Sequence, residues 1–212
     1  MKICEIFKSI QGESSLQGCP TVFVRLTGCN LDCRYCDTRY ARKGGTDLSI
    51  DEIIKKVEEF GLRYVCITGG EPLLWKDTPT LAQECINCGY TVSVETNGTI
   101  DASVLSLGVK RIIDIKCPGS GEHGKTHPAN ISQPRPADEF KFVLTGRADF
   151  DYACNSVRTY QLAAENIILF SPVFNMLEPS VLAEWIIKEM PEARLQLQLH
   201  RYIWPNGEKG EE

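Results

Sequence analysis

Eight short runs rich in apolar and β-branched residues recur along the chain with helical patterns between several of them, and this alternation limits the fold more than any other feature. The runs are ICEIF at 3–7, VFVRLT at 22–27, YVCIT at 64–68, TVSVE at 91–95, RIIDI at 111–115, EFKFVL at 139–144, NIILF at 166–170 and LQLQL at 195–199. Several are apolar nearly throughout, as parallel strands covered on both faces are. Between them, Ile50, Ile53, Ile54, Val57 and Phe60 keep helical spacing, with Lys55, Lys56, Glu58 and Glu59 on the other face. Ser49 and Glu52 form a capping-box pattern, and Gly61 suits a left-handed stop. Further helices are predicted over 78–88, 148–160 and 180–190, the last following Pro179. Strands alternating with helices imply βαβ units, hence a parallel sheet or partial barrel whose chemistry gathers at the C-terminal strand ends.

The 212 residues fit one domain, 1–212, with enough length to bury roughly 70% of the unfolded surface in a core. They are too few for a complete eight-stranded barrel, which takes about 250 residues. The expected fold is therefore α/β, a partial (β/α)6 TIM-like barrel with reduced helix content. Two stretches break the pattern. Residues 117–138, rich in Gly, Pro and polar side chains, read as an inserted loop or lid, and the tail PNGEKGEE at 205–212 reads as solvated. No window holds the 18 or more apolar residues of a membrane span, and the first residues lack the pattern of a signal peptide. A formal charge of −5 argues against a broad nucleic-acid surface, which needs many cations against phosphates, while one or two local Arg could still hold a small anion. Ten Cys in such a chain point to metal or redox chemistry in a reducing compartment, so a cytoplasmic location is expected.

The segment GCNLDCRYCDT places Cys29, Cys33 and Cys36 in a C-x3-C-x2-C arrangement just after the strand at 22–27. Thiolates hold iron–sulfur clusters, and a cubane has four irons, so three Cys leave one iron open to an outside ligand. An open iron of this kind can chelate the amino and carboxylate groups of S-adenosylmethionine (SAM) and pass an electron to its sulfonium. The competing reading is zinc, which prefers four ligands in paired C-x2-C units; Cys85 and Cys88 are the only other pair at that spacing, inside or at the end of a predicted helix. The other Cys, namely Cys4, Cys19, Cys66, Cys85, Cys88, Cys117 and Cys154, lie mostly in or beside apolar runs, where the default role is a small buried hydrophobe. A second segment, TGGEP at 68–72, puts two Gly at a strand end, where backbone can approach a ligand closely or simply turn.

The Cys triplet, with Tyr35 before its last Cys, and the GGE element about 30 residues later resemble the radical SAM superfamily. SIQGE at 9–13, the CDT ending at 36–38, VETNG at 94–98, DIKCPGSG at 114–121, KFV at 141–143 and LHR at 199–201 narrow the resemblance to the 7-carboxy-7-deazaguanine synthase family of queuosine and deazapurine biosynthesis. That family resemblance implies a lyase that turns 6-carboxy-5,6,7,8-tetrahydropterin into 7-carboxy-7-deazaguanine with loss of ammonia, using a 4Fe-4S cluster, SAM and Mg2+. An adenosyl radical would take a hydrogen from the pterin C6, the ring would contract, and SAM would be regenerated. The resemblance also implies a homodimer; an electron donor such as flavodoxin or ferredoxin is expected.

Carried onto this sequence, the resemblance gives Cys29, Cys33 and Cys36 to the cluster and Thr38 to Mg2+, although Thr38 could equally cap the next turn. Tyr35, Cys36, Asp37, Gly70 and Glu71 match SAM contacts, as do Lys116, Cys117 and Pro118 at one strand end and Ser171, Pro172, Val173 and Phe174 at a later one. Gln11, Gly12, Glu13, Arg25, Thr68 and His200 match substrate contacts. Some of these have a plainer reading as well. Arg25 in an apolar strand demands a carboxylate partner, which could be the substrate or an internal Asp or Glu. Glu13 could be a solvated loop residue, and His200, expected to end the last strand, a satisfied structural histidine. Glu95, Thr96 and Asn97 end a strand and fit SAM ribose or substrate contacts only loosely. The alternative enzyme is a glycyl-radical activase of the same superfamily, against which the IQGE and CDT elements argue; a non-catalytic metal-binding module is the third reading.

Overall fold

In a computed structural model that describes residues 1–204, nine strands form one open sheet. The tail at 205–212 lies outside the described residues. Strands β1 (Lys2–Ile10), β2 (Pro20–Leu26), β3 (Thr46–Asp47), β4 (Tyr64–Gly69), β5 (Thr91–Thr96), β6 (Lys110–Asp114), β7 (Glu139–Leu144), β8 (Ile167–Pro172) and β9 (Ala193–Leu195) lie in the order β3-β1-β2-β4-β5-β6-β7-β8-β9. From β2 to β9 every neighbour is parallel. Six full-length parallel strands and a three-residue seventh thus make the expected partial barrel, to which the antiparallel β1 and the two-residue β3 add an edge.

Helices α1 (Ile50–Glu58), α2 (Thr78–Asn87), α4 (Arg147–Thr159) and α5 (Pro179–Glu189) match the four predicted ones. Ser49 and Glu52 form both halves of the capping box, and Gly61 takes φ +63. Ile53 and Val57 of α1, Leu81 and Cys85 of α2, Phe150 and Val157 of α4 and Leu182 and Ile186 of α5 pack on one face of the sheet, in a core with Val24, Ile67, Val94, Ile113, Phe142 and Phe170. Because side chains alternate across a strand, the residues between these point to the opposite, concave face.

One expectation needs correction. LQLQL at 195–199 is mostly not a strand: β9 ends at Leu195, and His200 sits in a short helix, α6 (Leu199–Ile203). The Leu/Gln alternation is that of a strand, but the chain leaves the sheet once the Gln196 N–H has bonded Phe170 O at 2.9 Å, and Leu199 N then donates to Gly12 O at 3.0 Å. The 117–138 stretch, expected as an inserted loop or lid, is held at several points. It contains a 3-10 turn at Pro118–Ser120 and the short helix α3 (Pro128–Ser132). Asn130 bonds Gly98 O, Ile100 O and Ala102 N, and Arg135 reaches the carbonyls of Ser103, Leu105 and Ser106.

Candidate active site

The concave face, the cluster loop and the C-terminal segment enclose a cavity of about 470 Å3. Five of the parallel strands each place a polar residue on the cavity: Arg25 from β2, Thr68 from β4, Glu95 from β5, Asp114 from β6 and Lys141 from β7. The register places Arg25 beside Thr68 and Asp114 beside Lys141. Lys141 Nζ lies 2.6 Å from Glu13 Oε2 and 3.6 Å from Asp114 Oδ2, and Lys116 Nζ lies 2.9 Å from the same Asp114 oxygen. Burial alone would push the Lys141 ammonium down, but Glu13, Asp114 and Glu95 hold it well above the ordinary lysine range. Burial raises the Glu95 carboxyl, against the pull of Lys141. Gln11 Nε2 donates to Glu95 Oε1 at 3.1 Å.

Arg25 has an internal partner, Glu5 of β1, whose Oε1 is 2.8 Å from Nε, and its guanidinium lies over the Phe7 and Tyr40 rings. The salt bridge answers the demand for a carboxylate from within the chain, while Arg25 still lines the cavity.

The IQGE loop and the C-terminal segment lock together. Gln198 Nε2 donates to Glu13 Oε1 at 3.1 Å, and Gln17 Nε2 to Leu197 O at 2.8 Å. A Cβ at Gly12 would collide with the His200 ring, so this Gly is what lets His200 close over the cavity. His200 Nε2 and Asp114 Oδ1 are buried atoms of cavity residues with no hydrogen-bond partner among the described residues. Burial also holds the His200 imidazolium below the ordinary range, although Glu13 and Asp37 oppose it.

All three motif Cys line this cavity, with Tyr35, Asp37 and Thr38. They are free thiols, and Cys66 and Cys117, although buried, do not line it. The donor set therefore fits a cubane with three protein thiolates and one open iron. The loop is braced from outside: Asp32 N donates to Glu122 Oε1 at 2.8 Å and Arg34 N to Ser120 O at 3.0 Å. The long 117–138 stretch thus buttresses the cluster loop, and none of its residues lines the cavity. At the strand end, Gly70 packs against the backbone of Gly28 and the side chain of Cys29 where no Cβ would fit, and Glu71 N donates to Gly28 O at 2.8 Å. A Cβ at Gly69 would likewise meet the Leu26 backbone, so both Gly serve close approaches within the chain. Thr38 Oγ1 lies 3.3 Å from Asp37 Oδ1 and 3.9 Å from Cys36 Sγ. Among the described residues no three His, Cys, Asp or Glu side chains are grouped to hold a metal ion.

Of the residues expected at the site, Gln11, Gly12, Glu13, Arg25, Thr68, His200, Gly70, Lys116, Val173 and Phe174 reach the wall. Glu71, Cys117, Pro118, Ser171 and Pro172 do not. The Glu71 carboxylate instead accepts from Leu73 N, Thr96 Oγ1 and Asn97 N at 2.9, 2.8 and 2.6 Å, binding the end of β4 to that of β5. The sequence reading missed Asp114, Lys141, Gln198 and Arg201. For the first two a signal existed, a charged residue at the inward parity of a strand otherwise buried on both faces.

Residues 23–114 match the Radical SAM superfamily, which implies a 4Fe-4S cluster and SAM. The 7-carboxy-7-deazaguanine synthase of Koribacter versatilis (strain Ellin345) is 39% identical over 227 residues, covering 99% of this chain and 100% of that one. That of Chlorobaculum tepidum (strain ATCC 49652 / DSM 12025 / NBRC 103806 / TLS) is 42% identical over 213 residues, covering 99% and 97%. In fold, the chain is similar to QueE from Escherichia coli, with a TM-score of 0.77 over 94% of both chains at 23% identity. Since the likeness runs the length of both chains and is not confined to the cluster segment, this chain belongs to the 7-carboxy-7-deazaguanine synthase family of the radical SAM superfamily.

Proposed function

We propose that this chain is a lyase that converts 6-carboxy-5,6,7,8-tetrahydropterin to 7-carboxy-7-deazaguanine with loss of ammonia, a step of queuosine or deazapurine biosynthesis. The observation that carries this reading is the sharing of one cavity by the three motif thiols and by Gln11, Glu13, Arg25, Thr68 and His200. When bound, the cluster and SAM supply the 5′-deoxyadenosyl radical that starts the ring contraction.

The chain's own residues hold the substrate. A planar heterocycle with donors and acceptors on its edge needs fixed polar groups around it. Gln11 and Glu13 are fixed by Glu95 and by Lys141 and Gln198. Asp114 Oδ1 and His200 Nε2 are buried without partners among the described residues, at a cost of about 1–3 kcal/mol each that a bound ligand would remove. Arg25, Lys116 and Lys141 put cations in the cavity of a chain that is otherwise net acidic, which suits the carboxylates of the substrate and SAM. Tyr35, its hydroxyl bonded to Val143 O at 3.2 Å, walls the cavity beside the cluster Cys. Thr38 would offer a Mg2+ ion one hard oxygen, which suits a cation that usually keeps several waters.

Within the same reading the whole chain works as one unit in the cytoplasm, as a homodimer, and takes electrons from a flavodoxin or ferredoxin. The family resemblance supports the homodimer, ten cysteines with no disulfide among the described residues support a reducing compartment, and flavodoxin or ferredoxin stands for the class of donor.

The test is anaerobic incubation of the reconstituted protein with SAM, dithionite and the carboxytetrahydropterin, with products followed by mass spectrometry. Appearance of 7-carboxy-7-deazaguanine supports the assignment; a cluster-loaded, SAM-binding protein that makes none refutes it.

A further inference from the structure

Asn97 follows β5 and is 7% exposed. Every hydrogen-bonding group of its carboxamide is used. Oδ1 accepts from Thr99 N at 3.0 Å and from Thr99 Oγ1 at 2.7 Å. Nδ2 donates to Asn30 Oδ1 at 3.0 Å and to the Cys29 sulfur at 3.7 Å. Two donors facing Oδ1 and two acceptors facing Nδ2 leave the amide a single orientation, with an N–H aimed at a cluster thiol. The backbone beneath it is equally fixed, because Asn97 N and Thr96 Oγ1 both donate to the buried Glu71 carboxylate. A second N–H, that of Leu31, lies 3.5 Å from the same sulfur.

Hydrogen bonds to cluster sulfurs draw off electron density and favour the reduced state, so they raise the reduction potential. We propose that Asn97 is a positioning residue of the iron–sulfur centre: its carboxamide N–H, aimed by Thr99 and braced through Glu71, donates to the Cys29 thiolate and makes the cluster easier to reduce. This rests on the cluster reading above. It also gives the Glu71 carboxylate, which does not line the cavity, a part in the site.

The experiment uses the full chain, anaerobically reconstituted, with iron and sulfide measured first and the midpoint potential then taken by a mediated dithionite titration followed by electron paramagnetic resonance. Asn97→Leu removes the donor without adding charge and is the deciding variant, while Asn97→Asp keeps the acceptor for Thr99 but replaces the NH2 by a carboxylate oxygen, whose charge lowers the midpoint further. In each variant that retains wild-type iron and sulfide, the midpoint should move to a more negative value, and the fraction reduced at the wild-type midpoint should fall severalfold. An unchanged midpoint overturns the proposal. A measurement on the wild-type protein stands apart from the folding of either variant: with asparagine labelled by 15N in the carboxamide, the reduced cluster should show a 15N hyperfine coupling, and its absence equally overturns the proposal. A wild-type chain that takes up iron without sulfide defeats the cluster reading itself, an outcome separate from loss of the Asn97 contact alone.

Discussion

Lys141 pairs with Glu13 and Asp114 across the cavity, and its replacement separates a structural from a binding role. Lys141→Met leaves Glu13 without its cation and Asp114 with Lys116 alone, so substrate KM should rise about tenfold or more, the equivalent of losing one charge-assisted hydrogen bond of about 1.5 kcal/mol or more. Cluster content and SAM binding should hold; equal losses of substrate and SAM affinity would mark Lys141 as a purely structural ion. His200 yields a prediction in pH. Its folded-state pKa is depressed, so below the unfolded value of about 6.5 the unfolded chain binds a proton that the folded chain does not. Stability is therefore lost as pH falls below that value, and His200→Gln should flatten this part of a plot of Tm against pH. An identical acid limb in both proteins would contradict the burial of the imidazole. For Thr38, Thr38→Ala should lower turnover and its response to added Mg2+ while leaving the cluster's visible spectrum intact; unchanged turnover would remove Thr38 from the metal site.

The elements that place these residues differ in how plainly their sequences speak. Helix α1 was legible down to its capping box, because propensity, amphipathic spacing and cap all act within a few residues of one another. The last strand was not, since the Leu/Gln alternation over 195–199 scores as a strand whether or not a neighbour is there to accept it. Its pairing ends at Leu195, and the IQGE loop captures the rest. The attachments of the 117–138 stretch were not legible either: Gly, Pro and polar residues announce an absence of periodicity, not whether the backbone is pinned. What pins it includes the buried ion pair of Arg111 with Asp138, Nε to Oδ1 at 2.7 Å, with Asp138 also accepting from Arg135 N at 2.7 Å. Removing one partner strands the other charge, so Asp138→Ala should cost about 3–5 kcal/mol in denaturant unfolding. A loss below about 1 kcal/mol, the range of exposed pairs, would show that the pair is not desolvated.

Over the whole molecule, the cavity closes only when the first and last parts of the chain meet. Gln198, His200 and Arg201 reach the wall through contacts with Gly12, Glu13 and Asp37, which lie more than 160 residues earlier. Truncation after Leu195 should leave iron, sulfide and SAM binding intact while abolishing substrate binding; loss of the cluster as well would mean that the C-terminal segment stabilises the cluster loop. Strand and helix periodicity, chain length and the C-x3-C-x2-C spacing, read together with the family resemblance, pointed to the partial barrel and the three thiols, because periodicity and spacing depend on neighbours in sequence. Which charges converge on the cavity, that Arg25 already holds Glu5, that the long loop braces the cluster loop and that Asn97 is aimed at Cys29 were decided by tertiary structure. The physical reason is that ion pairing, burial and hydrogen-bond satisfaction are set by distances between groups far apart in the chain, and no local pattern encodes them.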